Sequence, residues 1–231
     1  ESALSGVGKF VRPDQLLWYR RSFSLPEEWA GQRILLHFEA VDWHSIVLVN
    51  GERVGENKGG YVPFSLDITD ALKGSGPQEL VLVVWDPSNM GDQTIGKQSL
   101  PEARQGFRYT PTSGIWQSVW VEPVPKTAIA SLRIVPDFDA SRVSVATTVP
   151  GAAEDLSVRV KVLDGDAVLA EKMGRADAAI TLDLPNAKPW SPESPHLYDL
   201  AVTLERDGAV LDAVGSYFGL RKIHVAPDAE G

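Results

Sequence analysis

Turn signals recur along this chain at intervals of about one strand, and they constrain its fold more than any other feature. Asn50–Gly51, Asp164–Gly165 and Asp207–Gly208 each separate two short apolar segments. Two-residue hairpin loops have this composition because asparagine, aspartate and glycine accept the positive φ that such turns require. No window longer than about six residues favours the helical period. Many short strands without intervening helices predict an all-β fold built from sandwiches.

Alternation of apolar and polar residues locates two of these strands. In segment 33–39, Ile34, Leu36 and Phe38 share one face and His37 lies on the other, which is the pattern of a half-buried strand. Segment 79–86 carries apolar residues on both faces, so we expect a strand that is buried on both sides.

A proline-rich junction divides the chain. Pro123 and Pro125 interrupt a strand, and a new strand begins near Ile129. Six of the seven tryptophans precede residue 121, which indicates two cores of different composition. We therefore predict one domain over 1–125 and a second over 126–231.

Composition excludes several classes of partner and site. The net charge is −9 and no basic patch could neutralise phosphates, so neither nucleic acid nor an anionic membrane is an expected partner. No apolar segment approaches the roughly 18 residues of a membrane span. The absence of cysteine excludes disulfides and thiolate metal sites and leaves the cellular compartment open. The four histidines lack zinc-ligand spacing, and we predict neither a metal nor a cofactor.

A rigid corner is predicted between Trp190 and Tyr198. Pro192 and Pro195 fix φ and remove backbone donors, so the segment is an extended corner that leads into a strand. Trp190 and Tyr198 could belong to the core or form an exposed platform that stacks on a sugar. Because Trp190 lies between Pro189 and Pro192 at a strand entry, the core is the favoured interpretation.

Taken in order, several segments resemble glycoside hydrolase family 2, which includes β-galactosidases and β-glucuronidases. The resemblance covers nearly the whole chain and rests on LWYRRSF (17–23), VNGERVG (49–55), GGYVPF (59–64), ELVLVVWD (79–86), SGIWQSVW (113–120), the corner WSPESPHLY (190–198) and FGLR (218–221). It implies an all-β chain in which a jelly-roll, sugar-binding-like β-sandwich is followed by an immunoglobulin-like β-sandwich.

The same resemblance implies an activity whose catalytic groups are missing from this chain. The family hydrolyses glycosidic bonds with retention, using two glutamates on a (β/α)₈ barrel, of which the acid follows an asparagine. None of the four asparagines here precedes a glutamate, and no alternation of strand and helix could form a barrel. We therefore expect no catalytic residue, but a scaffold for a C-terminal barrel that acts on a carbohydrate substrate. The resemblance also allows a homo-oligomer.

A long polar loop between Trp85 and Trp116 is the predicted substrate contact. Loops of this length are usually functional or disordered. Its polar and aromatic residues are Asp86, Asn89, Asp92, Gln93, Lys97, Gln98, Arg104, Arg108 and Tyr109. Such groups suit sugar hydroxyls, and the resemblance implies that this loop reaches substrate. The predicted substrate-binding residues are Asp86, Asp92, Arg108, Tyr109 and, from the resemblance, Asp14 ahead of the first strand.

Three alternatives stay open. The loop could pack at a domain interface without touching substrate. The chain could be a stand-alone carbohydrate-binding module, although such modules display aromatic rows and most tryptophans here are expected inside apolar strands. A structural adhesion sandwich is the third, and the polar loop argues against it.

Overall fold

The computed structural model describes residues 9–100, 106–151 and 154–225. The chain divides between Val124 and Pro125 into two compact units. Within the described ranges nearly all regular structure is strand, and the helical elements are two single 3₁₀ turns, Glu27–Trp29 and Thr69–Ala71.

In its described residues, the first unit contains antiparallel strands arranged in three sheets. Its strands are β1 (Leu17–Phe23), β2 (Arg33–Phe38), β3 (Val41–Asp42), β4 (His44–Val49), β5 (Glu52–Lys58), β6 (Phe64–Asp67), β7 (Gln78–Trp85), β8 (Gly114–Ile115) and β9 (Val119–Val124). One sheet has the order β1-β7-β4-β5 and another the order β6-β2-β9, while β3 pairs with β8. The two larger sheets supply the layers of a sandwich.

The core of the first unit contains residues from both larger sheets. Ile34, Leu36 and Phe38 of β2 are buried in it, as their alternation predicts. On β7, Leu82 and Val84 belong to the same core. On the other face Val83 is also buried, but the neighbouring Trp85 is exposed, so the expectation that 79–86 is buried on both faces is met only in part. The core lies against one face of this sheet, and the side chains of the other face are covered only in part.

The second unit is a sandwich of seven described strands. They are β10 (Ser131–Asp137), β11 (Arg142–Thr148), β12 (Leu156–Asp164), β13 (Ala167–Arg175), β14 (Ile180–Asp183), β15 (Tyr198–Arg206) and β16 (Ala209–Phe218). A three-stranded sheet, β10-β11-β14, faces a four-stranded sheet, β13-β12-β15-β16, across one apolar core. Seven antiparallel strands divided three and four are typical of immunoglobulin-like domains. The all-β prediction of two successive sandwiches is confirmed.

All three predicted hairpins are present. The turn at Asn50–Gly51 joins β4 to β5, and that at Asp207–Gly208 joins β15 to β16. The turn between β12 and β13 consists of Gly165 and Asp166, one residue later than predicted, because Asp164 still pairs with Ala167. Asn50 adopts a φ of 52° and Gly51 a φ of 86°. These values lie in the left-handed region that asparagine and glycine tolerate best, so the local sequence specifies the turn.

The corner before β15 is anchored by one buried ring. Tyr198 is 1% exposed, and its hydroxyl oxygen accepts a hydrogen bond from the Lys188 N–H at 2.5 Å. Trp190 is only half-buried, so its predicted core position is wrong. Its ring lies against Gly219, and the Arg221 guanidinium stacks over it at 5.1 Å from the ring centroid. The tryptophan thus covers the end of the sandwich instead of filling its interior.

Candidate functional site

The loop that follows β7 is closed by a buried carboxylate. Asp86 is 1% exposed and directly follows the core strand. One carboxylate oxygen accepts the Ser88 N–H at 2.7 Å, and the other accepts the Ser113 hydroxyl at 2.5 Å. These bonds tie the first residues of the loop to its last ones. Asp86 therefore acts as a brace across the loop.

Two buried glutamines hold the interior of the loop. The Gln93 side-chain amide donates to the Ser88 carbonyl at 2.8 Å. Gln98 donates to the Asp42 carboxylate at 3.0 Å and accepts from the Thr112 N–H at 2.8 Å. Each amide satisfies groups that burial would otherwise leave without partners, which costs about 1–3 kcal/mol per group. The loop thus has an interior built from polar side chains.

Backbone pairing joins the two sides of the loop. Gln98 and Tyr109 form a parallel bridge, in which Ser99 N–H donates to the Tyr109 carbonyl at 2.9 Å. The Tyr109 N–H donates to the Lys97 carbonyl at 3.2 Å. Arg104, one of the polar loop residues named from the sequence, lies outside the described residues. The bridge fixes the backbone on which Tyr109 is carried.

The predicted site residues differ in accessibility. Asp92, Arg108 and Tyr109 are exposed, whereas Asp86 is buried. Asp14 is also exposed, and it follows Pro13, whose carbonyl accepts the Trp85 indole N–H at 2.8 Å. That bond places the segment before β1 beside the end of β7, where the loop begins. Within the described residues, no hydrogen bond or ion pair joins the five predicted residues to one another.

Two aromatic residues at this end of the unit were missed by the sequence analysis. Tyr61 follows the Gly59–Gly60 turn, and Trp116 follows β8. Partial burial raises the pKa of Tyr61 above its ordinary value, and the negative charges of Asp42, Tyr109 and Asp86 raise it further, in that order. Tyr61 lies beside the loop, since a Cβ at Gly96 would be 3.4 Å from its hydroxyl. The two glycines before Tyr61 were the available signal, because they mark a close approach of the backbone.

Several tryptophans of the first unit are exposed on strands or at strand ends. Trp18 is 62% exposed, and Trp85, Trp116 and Trp120 also lie at the surface. The expectation that most tryptophans are enclosed by apolar strands is therefore wrong. A strand alternates its side chains between two faces, so an apolar strand can present a ring outward.

The described part of the chain contains no group of side chains arranged to bind a metal ion. No three histidine, aspartate or glutamate side chains there lie close enough together to hold a metal ion. The same residues include no helix that is both long and apolar enough to cross a membrane. The predicted absence of a metal and of membrane contact stays a prediction.

Comparison with known proteins identifies both units. Residues 10–125 match the model described as "Glycosyl hydrolases family 2, sugar binding domain", and residues 127–221 match "Glycosyl hydrolases family 2". A β-galactosidase of Thermoanaerobacter pseudethanolicus is 28% identical over 92% of this chain and 29% of its own length. A putative β-glucuronidase of Formosa agariphila is 30% identical over 88% of this chain and 25% of its own length.

A solved structure has the same fold. The β-glucuronidase from Ruminococcus gnavus in complex with D-glucuronic acid superposes with a TM-score of 0.73 at 22% identity. The superposition covers 91% of this chain and 37% of that one. The chain thus spans about a quarter to a third of the length of the curated relatives described above.

Proposed function

The chain belongs to family 2 of the glycosyl hydrolases, and from that premise we propose that it is the non-catalytic N-terminal region of a retaining exo-β-glycosidase. In a protein of the relatives' length, a C-terminal barrel would carry the two catalytic carboxylates. The two units would scaffold that barrel and shape its substrate pocket. The sequence contains no Asn-Glu pair, which supports assigning catalysis to the barrel and scaffolding to these two units.

The observation that carries the proposal is the construction of the loop between Asp86 and Ser113. Buried polar side chains fix the backbone of its described residues, 86–100 and 106–113, while Asp92, Arg108 and Tyr109 stay exposed there. A loop that is ordered before binding loses less conformational entropy when a ligand arrives. These exposed groups can accept and donate hydrogen bonds to sugar hydroxyls, and we assign them to the rim of the pocket together with Asp14.

Asp86 has a different place in the proposed site. Both of its carboxylate oxygens already accept hydrogen bonds inside the loop. We therefore assign it a positioning role, in which it holds the loop so that the exposed residues meet substrate. Its removal should change the geometry of the rim without removing a direct contact.

Kinetics of the enzyme that contains this region test the rim assignment. Asp92→Ala and Arg108→Ala should each lower kcat/KM by roughly tenfold to a hundredfold, the loss expected for one charge-assisted contact. Arg108→Ala should have the larger effect on an aryl β-glucuronide than on an aryl β-galactoside, because guanidinium binds carboxylate. Asp70→Ala and Arg21→Ala, which alter exposed charges elsewhere in the first unit, are the matched controls. Unchanged kcat/KM in both loop variants would show that the loop packs at a domain interface without contacting substrate.

The activity of the isolated chain tests whether the catalytic residues lie outside it. The purified 231-residue chain should hydrolyse no aryl β-glycoside above background, because it lacks the paired carboxylates. Turnover that disappears on substitution of a residue in this chain would overturn the proposal.

The exposed tryptophans favour a second candidate, a carbohydrate-binding module that acts without a catalytic partner. Trp18 pairs with Val83 across β1 and β7, so Trp85, two residues further along β7, lies diagonally opposite on the same face. Two neighbouring outward rings could stack on a glycan chain. Retention of the isolated chain on a polysaccharide, lost in Trp18→Ala, would favour this candidate over the first.

A further inference from the structure

Tyr61 and Trp116 form a pair of half-exposed rings beside the loop. Their ring centroids are 5.8 Å apart with an interplanar angle of 68°, an edge-to-face arrangement. Tyr61 is 50% exposed and Trp116 is 47% exposed. Each ring therefore packs on the other through part of its surface and presents the remainder to solvent.

The Trp116 ring is held in place from two sides. Its indole N–H donates to the Gly60 carbonyl at 2.7 Å, and its backbone N–H donates to the Ala40 carbonyl at 3.3 Å. Trp116 also directly follows β8, which pairs with β3. The orientation of the ring is therefore set by the sheet and by the turn that carries Tyr61.

Two glycines mark close contacts around Tyr61. A Cβ at Gly60 would lie 2.4 Å from a carboxylate oxygen of Asp42, so only glycine lets this backbone approach so closely. A Cβ at Gly96, on the loop, would lie 3.4 Å from the Tyr61 hydroxyl. Asp42 in turn accepts from Gln98 of the loop. The ring pair and the loop are thus one connected structure.

We propose that Tyr61 and Trp116 form a stacking platform for a pyranose ring at the edge of the loop site. The inference rests on the proposed function, because it names the group that this site binds. A pyranoside presents an apolar C–H face that covers an aromatic ring, while its hydroxyls point outward to polar partners. A fixed aromatic pair binds such a face at low cost in side-chain entropy, since few torsions remain to be frozen.

The resonance of the Trp116 indole N–H tests the platform in the 231-residue chain. Methyl β-galactoside or methyl β-glucuronide, at up to about 50 mM because single-ring contacts are weak, should shift that resonance in a saturable way. Tyr61→Ala should weaken the affinity about two- to tenfold, the loss expected for one aromatic contact. Tyr61→Phe should keep the affinity, because it keeps the ring. Phe107→Ala removes a more exposed ring, 72% accessible, and should change nothing.

A second ligand distinguishes binding of a pyranose from binding of any aromatic compound. Benzyl alcohol supplies a flat aromatic ring and a hydroxyl but no pyranose. A response of Trp116 to benzyl alcohol without a response to either methyl glycoside would overturn the pyranose assignment. Loss of the response in Phe107→Ala but not in Tyr61→Ala would overturn the platform itself, as would no response of Trp116 to any saccharide.

The platform and the rim can fail separately. If Asp92→Ala and Arg108→Ala lower kcat/KM while Tyr61→Ala leaves saccharide binding unchanged, the proposed function stands and the platform is refuted. If Tyr61→Ala weakens saccharide binding while Asp92→Ala and Arg108→Ala leave kcat/KM unchanged, the platform stands and the rim assignment is refuted.

Discussion

The loop of the first unit and the corner of the second are both long connections between strands, but they are anchored by opposite means. The loop between Asp86 and Ser113 is held by buried polar side chains that bond to one another and to the backbone. The corner is held by the ring of Tyr198 in an apolar core and by backbone bonds such as that from Trp190 to Leu220, at 2.9 Å.

The contrast shows how a connection becomes available for binding. The side chains that anchor the corner point into the sandwich that the corner closes, so its conformation serves the stability of that sandwich. The side chains that anchor the loop bond mostly within the loop, and the side chains of Asp92, Arg108 and Tyr109 face solvent. A site needs the second arrangement, because binding residues must be held in place and still face solvent.

The largest expected effect is at the anchor of the corner. Tyr198→Ala should lower the free energy of unfolding of the second unit by about 3–5 kcal/mol, since it empties a ring-sized space in the core. Hydrogen exchange of the amides in β12 and β15 measures this loss. Tyr198→Phe should cost less, because it removes only the hydroxyl that bonds to Lys188. Equal exchange in the alanine variant and the native chain would contradict an anchor role.

Removing the anchor of the loop, Asp86, should lower the free energy of unfolding by less than Tyr198→Ala does, and the effect should be confined to the loop. Asp86→Ala should cost about 1–3 kcal/mol, because it leaves the Ser88 N–H and the Ser113 hydroxyl without their partner. Exchange should quicken in the loop amides while the amides of β4 and β7 stay protected. Uniform destabilisation of the whole first unit would show that the loop is as integral as the corner.

Trp190 provides an intermediate case within the corner. Because its ring is half-buried against Gly219, Trp190→Ala should cost roughly 1–2 kcal/mol, less than a fully buried ring. Urea denaturation of the variant gives the value. A loss as large as that of Tyr198→Ala would indicate that Trp190 belongs to the core, as the sequence predicts.

The smallest effect concerns the ion pair between Lys188, just before the corner, and Asp164 at the end of β12. The hydrogen bond from Lys188 to Asp164, 2.8 Å long, lowers the pKa of Asp164, and His196 lowers it further. Asp164 should therefore stabilise the fold above the ordinary aspartate range, about pH 4, and this contribution should vanish as pH falls through the lower folded pKa. Urea midpoints between pH 6 and about pH 3 should fall less steeply for Asp164→Asn than for the native chain. The exposed loop variant Asp92→Asn is the control, and an identical slope for Asp164→Asn would contradict the assignment.

Local chemistry made much of the fold predictable. Asn50–Gly51 and the other two hairpin turns were identified because positive φ is a property of the residues themselves. The alternation of Ile34, Leu36 and Phe38 identified a half-buried strand because a strand places every second side chain on one face. The order of the family segments predicted the two successive sandwiches.

Tertiary structure alone decided which residues of the candidate site are braces and which are exposed. Asp86 and Arg108 are both polar residues of one loop, yet Asp86 is buried because Ser113, distant in sequence, returns to its carboxylate. Tyr61 and Trp116 meet only because β3 pairs with β8, which no short window of sequence records. Burial and ring contacts depend on partners from remote segments, whereas turns and alternation depend on neighbours along the chain. The sequence therefore determined the strands and turns, and folding determined which side chains face solvent.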